Sequence, residues 1–147
     1  MEKHSKIFVA GAETLIGGAI AASLHSQGYD NVISPADKES DLTDAGVVEG
    51  IFATEAPKYV ILAAGESGGI AANQNRPAHL MLNNLVIDCN VISAAHRHGV
   101  KKLLFLASSC VYPREAVQPI TEQALMTGPL EPTNEAYAVA KIAGLTL

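Results

Sequence analysis

Apolar residues fall along this chain in short blocks separated by glycine, proline and polar punctuation. Lys6-Ile-Phe-Val-Ala10 is an apolar run ending at Gly11 and predicts a buried strand. Leu15 to Gln27 follows as a helix of small residues, with Ile16, Ile20 and Leu24 on one stripe and Gly28 as its stop. Asn31-Val-Ile-Ser34 predicts a second strand, closed by Pro35. Thr43 or Asp44 can cap a helix that runs to about Glu55, before Pro57. Tyr59-Val-Ile-Leu-Ala63 predicts a third strand, followed by a loop containing Gly65, Gly68 and Gly69. Pro77, a favoured first helical residue, opens a long helix to about His98, which Gly99 ends. Lys102 to Ala107 predicts a fourth strand. Residues 112–132 hold prolines 113, 119, 129 and 132 and predict an irregular loop. Thr133 or Asn134 then caps a last helix through Lys141.

Strands that alternate with helices predict an α/β fold, a parallel sheet wound with helices on both faces. Right-handed crossovers lead to an expected strand order of 3-2-1-4. A sheet of this kind continues beyond strand four. The chain therefore reads as a partial doubly wound domain over residues 1–147, truncated after its last helix and without a substrate domain.

Composition narrows the class. Of the 147 residues 48% are hydrophobic and only 5% aromatic, which suits helices packed closely on a sheet. The net charge is -5 and no dense run of Lys and Arg occurs, which argues against nucleic acid as a partner. Cys89 and Cys110 lack a metal-ligand spacing, and no histidine pairs with a carboxylate and a third ligand, so no metal is assigned. No apolar run approaches the roughly 18 residues a membrane span needs. The first residues lack the apolar core of a signal peptide, so a cytoplasmic protein is expected.

Three groups of residues carry chemistry. Gly11-Ala-Glu-Thr14-Leu15-Ile16-Gly17-Gly18 follows strand one and opens a helix. Glycines there permit a tight turn and close backbone approach to a pyrophosphate, which the helix N-terminus favours electrostatically. Gly11, Thr14, Leu15, Ile16 and Gly17 are therefore candidate cofactor contacts. The middle glycine of a Gly-x-x-Gly-x-x-Gly loop is replaced by Thr14, whose side chain crowds a phosphate or donates to one; replacing it by glycine is expected to strengthen binding. The second group is acidic. Asp37 stands 20 residues beyond Gly17, where a carboxylate accepts from a ribose 2′-hydroxyl, or is merely solvated. Asp41 and Leu42 are placed to meet an adenine edge, while Asp44 reads better as a helix cap. In the third group, Ser108, Ser109 and Cys110 follow strand four, and Tyr137 and Lys141 lie four apart on a helix. An ammonium beside a phenol stabilises the phenolate, and a nearby hydroxyl can hold a carbonyl oxygen. That is acid/base chemistry for hydride transfer. Cys110 by itself reads as a small buried hydrophobe.

With a Rossmann-like half ahead of Tyr-x-x-x-Lys, the chain resembles the extended short-chain dehydrogenase/reductases, the NAD-dependent epimerase/dehydratase family. It is most similar to the N-terminal part of the GDP-L-fucose synthase subfamily, whose members are about twice as long. The likeness lies in Ala63-Ala64-Gly65 through Asn73, in Lys102 to Pro113 and in Leu130 to Gly144. It implies that Ala63, Ala64 and Gly65 contact the cofactor and that Ser108 bonds the sugar keto oxygen. Tyr137 would be the proton donor, and Lys141 would bind nicotinamide ribose and tune Tyr137. Cys110 would be one of two groups for epimerisation, the second being a histidine beyond these residues. The implied substrate is a nucleotide 4-keto-sugar.

Departures from that pattern shape the remaining expectations. Glu13 and Asp37 stand where the family places basic residues near the 2′-phosphate of NADP, so NAD is favoured over NADP. With neither the second epimerisation group nor the sugar-binding segments, the chain is expected to be inactive alone. The alternative is a non-catalytic binding or oligomerisation module, and a third reading is a fragment of a longer enzyme. The apolar fourth strand, Leu103 to Ala107, with Val139, Ile142 and Leu145 on the last helix, predicts a homodimer or larger assembly, unless the proline-rich segment covers the strand edge.

Overall fold

A computed structural model describes residues 1–34 and 41–147, and the chain divides into two compact units. Met1–Gly65 with Val86–Leu106 form the first, and Glu66–Leu85 with Ala107–Leu147 the second. In the first unit β1 (Ile7–Ala10), β2 (Val32–Ile33), β3 (Tyr59–Leu62) and β4 (Lys102–Phe105) make one parallel sheet. The helices α1 (Leu15–Ser26), α2 (Ala45–Glu55) and the later part of α4 (Pro77–Arg97) are the crossovers. The doubly wound parallel class expected from the sequence is the class observed.

The strand order is β2-β1-β3-β4, which corrects the expected 3-2-1-4. The reason lies in burial. All four residues of β3 are buried, and β3 pairs with β1 on one side and β4 on the other. Such a strand belongs inside a sheet, not at its rim. The two-residue β2 is only half-buried and suits an edge. Chain direction across the sheet thus reverses between β1 and β3, the kind of crevice where α/β sheets bind ligands.

Alternation along the central strands divides the core. Phe8, Ala10, Val60 and Leu62 face one way and pack with Val48 and Phe52 of α2 and Val91 and Ala94 of α4. Ile7, Val9, Tyr59 and Ile61 face the other way, with Leu24 of α1. The Phe8 and Phe52 rings meet edge to face, with centroids 5.7 Å apart. Although apolar in sequence, β4 is not covered on both faces: Lys102 and Leu104 are exposed and Leu103 and Phe105 half-buried.

Helix boundaries follow local chemistry. Asp44, rather than Thr43, caps α2, accepting from Gly46 N at 2.7 Å and Val47 N at 3.1 Å. Gly99, at φ +67°, ends the chain segment after α4, and Val100 N returns to Ala95 O at 2.9 Å. In the second unit, α3 (Ile70–Asn75) forms where only a glycine-bearing loop was expected, held by Asn73, which donates to Gly68 O and Gly69 O. A 3₁₀ turn, Ser109–Val111, precedes the proline-rich stretch and a second, Glu122–Ala124, lies within it, before α5 (Glu135–Thr146). No helix among the described residues is long and apolar enough to cross a membrane.

One surface pairing ties α2 to the end of α4. Glu49 lies 2.7 Å from Arg97 Nη2 and 2.6 Å from His98 Nε2. The Arg97 hydrogen bond, then that of His98, holds the Glu49 carboxyl below its ordinary value. A lowered folded value contributes stability that is present above the unfolded value and lost as pH falls through the folded one. Urea unfolding between about pH 5 and pH 3 is therefore expected to cost wild type more stability than Glu49→Gln. Equal losses in the two proteins would show that the pairing contributes nothing.

Candidate active site

The nucleotide loop of the first unit is built on contacts that exclude side chains. Gly11 has φ +90°, and a Cβ there would fall 2.5 Å from Ala64 Cα. A Cβ on Gly17 would fall 2.0 Å from Gly11 O. These two glycines let the first turn of α1 press against the ends of β1 and β3. Thr14 occupies the remaining loop position with φ -82° and ψ 163°, ordinary extended backbone that needs no glycine. It is the N-cap of α1. Leu15 and Ile16 follow with side chains 91% and 58% exposed, and Glu13 is exposed beside them. The N-terminus of a 12-residue helix, brought by these glycines close to the ends of β1 and β3, is a setting that fits a dinucleotide pyrophosphate.

Neighbouring candidates divide. Ala63 N bonds Ala10 O at 2.9 Å, Ala64 is buried, and Gly65 takes φ 144°. All three therefore follow β3 beside the glycine cradle. Asp41 is exposed, and its Oδ1 accepts from Thr43 Oγ1 at 2.6 Å and Thr43 N at 2.9 Å. Those bonds, the hydroxyl first, hold its carboxyl below the usual range. Leu42 is a core residue with its side chain among Val48 and Phe52, and its carbonyl accepts from Asn90 Nδ2 at 3.0 Å. Its side chain is thus committed to packing rather than to an adenine edge. Asp37 lies outside the described residues.

The second unit gathers the acid/base candidates. Ser108 caps the Ser109–Val111 turn, its hydroxyl accepting from Cys110 N at 3.4 Å. That turn packs against α5. Tyr137 is half-buried on α5, and Lys141, one turn on, is only 2% exposed. A lysine is almost never this buried unless its ammonium is paired, because the charge is costly to remove from water. Ala138, Ala140 and Gly144 are buried on the same helix, and their small size lets it pack closely. Cys110 is half-buried, consistent with either reading of it.

A polar cluster escaped the sequence reading. Glu66 accepts from His79 Nε2 at 2.7 Å and Asn83 Nδ2 at 3.2 Å, with Arg76 Nη2 at 3.4 Å. Asn84, fully buried, donates to Glu66 O and Leu80 O. His79 and Asn83 lie one turn apart on α4, the signal that could have linked them to a carboxylate upstream.

A sequence profile of the NAD dependent epimerase/dehydratase family matches residues 7–147. GDP-L-fucose synthase 1 from Arabidopsis thaliana is 55% identical over 144 residues, covering 98% of this chain and 45% of that protein. Among solved structures, DdhaC superposes with a TM-score of 0.96 at 49% identity, over 99% of this chain and 42% of its own. A GDP-mannoheptose C4 reductase from Campylobacter jejuni, solved with NADP bound, gives a TM-score of 0.93 at 37% identity, over 98% of this chain and 46% of its own. The chain thus spans a little under half the length of these relatives.

Proposed function

We propose, on the premise that the chain belongs to the NAD dependent epimerase/dehydratase family, that its residues are the dinucleotide-binding and acid/base part of a nucleotide-sugar epimerase/reductase resembling GDP-L-fucose synthase. The substrate class is a GDP-linked 4-keto sugar. The observation that carries this reading is Lys141, 2% exposed and one helical turn from Tyr137, on a helix packed against the turn that Ser108 caps.

A bound nicotinamide supplies the hydride that reduces a sugar ketone to an alcohol. The protein's part is to hold the ketone and to move the proton. Ser108 Oγ donates to the keto oxygen and keeps it in place. Tyr137 delivers the phenolic proton to that oxygen as the C–O double bond becomes single. The Lys141 ammonium favours the resulting phenolate and binds the nicotinamide ribose. Cys110 Sγ is one of the two groups that exchange protons on carbons beside the ketone during epimerisation. The amides of Leu15 and Ile16 hold the pyrophosphate, Gly11 and Gly17 shape the turn that presents them, and Ala63 to Gly65 lie beside them.

The preferred dinucleotide is NAD. Support comes from Glu13, exposed on the loop after β1, and from the sequence, which offers Asp37 as a second carboxylate. The Campylobacter reductase holds NADP, so this preference would set the chain apart from it. A 2′-phosphate near two carboxylates is repelled. Calorimetric titration at low salt is expected to give NAD an advantage of about tenfold that shrinks as salt is added. Tighter NADP binding would reverse the assignment.

The 147 residues, which span under half the length of the relatives they match, are not expected to turn over GDP-4-keto-6-deoxymannose. They hold one member of the epimerisation pair, and substrate positioning contributes many kcal/mol to such reactions. Turnover by the purified chain that vanishes in Tyr137→Phe would overturn this.

Association into a homodimer or larger assembly completes the reading. Val139 and Leu145 on α5 are 37% and 44% exposed, and Leu104 on β4 is 53% exposed. Sedimentation velocity at micromolar concentration is expected to show a dimer that Val139→Asp weakens. A clean wild-type monomer would contradict it.

A further inference from the structure

We propose that Thr14 is a positioning residue whose hydroxyl latches the nucleotide loop into the shape that receives a dinucleotide pyrophosphate; this rests on the dinucleotide reading above. The substitution of threonine for the loop's middle glycine is then a working part of the site and not a defect in it.

The latch is made of two side-chain bonds. Thr14 Oγ1 donates to Gly11 O at 2.7 Å, and Gly17 N donates to Thr14 Oγ1 at 3.0 Å. Backbone bonds reinforce it, from Thr14 N to Gly11 O at 3.0 Å and from Gly18 N to Thr14 O at 2.8 Å. A single residue therefore fastens the last residue before the turn to the first turn of α1. The distribution of glycine agrees with this. Glycine stands at 11 and 17, where a Cβ would strike backbone at 2.5 and 2.0 Å. Threonine stands at 14, where φ is -82°.

The latch also decides which amides meet an anion. The first N–H groups of a helix have no acceptor within it. The Thr14 hydroxyl occupies that of Gly17, which leaves those of Leu15 and Ile16 for a phosphate. The side chains of these two residues are 91% and 58% exposed. Glycine at 14 would free the Gly17 amide but leave the loop to be ordered by the ligand, and ordering a flexible loop on binding weakens affinity. Valine keeps the shape of threonine and removes the hydroxyl, so Gly11 O and Gly17 N both lose a partner. Serine keeps the hydroxyl. The expectation from sequence that Thr14→Gly strengthens binding is therefore reversed.

The test titrates the 147-residue protein and its Thr14→Ser, Thr14→Val and Thr14→Gly variants with ADP-ribose, which contains the pyrophosphate, and with adenosine, which has no phosphate. The Kd for ADP-ribose is expected to rise about fivefold in Thr14→Val, as for loss of one helix cap, to rise less in Thr14→Gly, because glycine is a tolerated cap residue, and to stay within about twofold in Thr14→Ser. Adenosine binding should not change across the series, which a general loss of structure would not permit. Amide exchange read by NMR gives an independent measure: Gly17 N–H should exchange slowly in wild type and Thr14→Ser and faster in Thr14→Val. Thr14→Gly binding ADP-ribose as tightly as wild type, or Thr14→Val matching wild type in affinity and Gly17 exchange, overturns the latch. Wild type that binds neither probe nor NAD instead overturns the dinucleotide reading, and the latch with it.

Discussion

The contact on which most else depends is the approach of the first turn of α1 to the ends of the central strands. Gly17 lies so near Gly11 O that a single methyl group would collide with it, and Gly11 is equally near Ala64. This closeness lets Ala21 and Leu24 of α1 sit against the sheet. It also points the helix N-terminus at the crevice between β1 and β3. Packing and the proposed anion binding thus rest on one arrangement, so a change to the packing would disturb the site as well. A larger residue at 17 would lift the helix, loosen the core on that face and displace the amides together.

Much of this was legible because it is local. Apolar blocks bounded by glycine and proline marked every strand, and Pro77 and Gly99 framed the longest helix. Asp44 is a cap because a short carboxylate reaches back to its own helix. The strand order was not legible, since adjacent strands are chosen by burial on both faces, which periodicity reports only weakly. The uninterrupted run Tyr59-Val-Ile-Leu62 held the clue, because a strand apolar at every position needs cover on two sides.

Side-chain assignments show the same division. That Tyr137 and Lys141 share one helix was legible from spacing, but the depth of Lys141 was not, since it goes with the close packing of Ala138, Ala140 and Gly144 on that helix. The burial of Leu42 was not legible because part of its core cluster comes from α4, remote in sequence. Thr14 looked like a vacancy in a motif because a motif records residue types and not hydrogen bonds. The short helix α3 arose from Asn73 bonding two carbonyls a turn earlier, a pairing that no residue type announces.

The carboxylate of Glu66 has a consequence for how this loop can change over evolutionary time. Three side chains, from Arg76, His79 and Asn83, converge on it, while its carbonyl receives Asn84. A star-shaped arrangement tolerates error unequally. Losing any one spoke leaves the hub two others, so drift at 76, 79 or 83 one position at a time is cheap. Losing the hub strands every spoke at once. Neutral variation in this region should accordingly accumulate on α4 before it reaches the loop, and a lineage that did replace Glu66 would be expected to have rewritten several of its partners first.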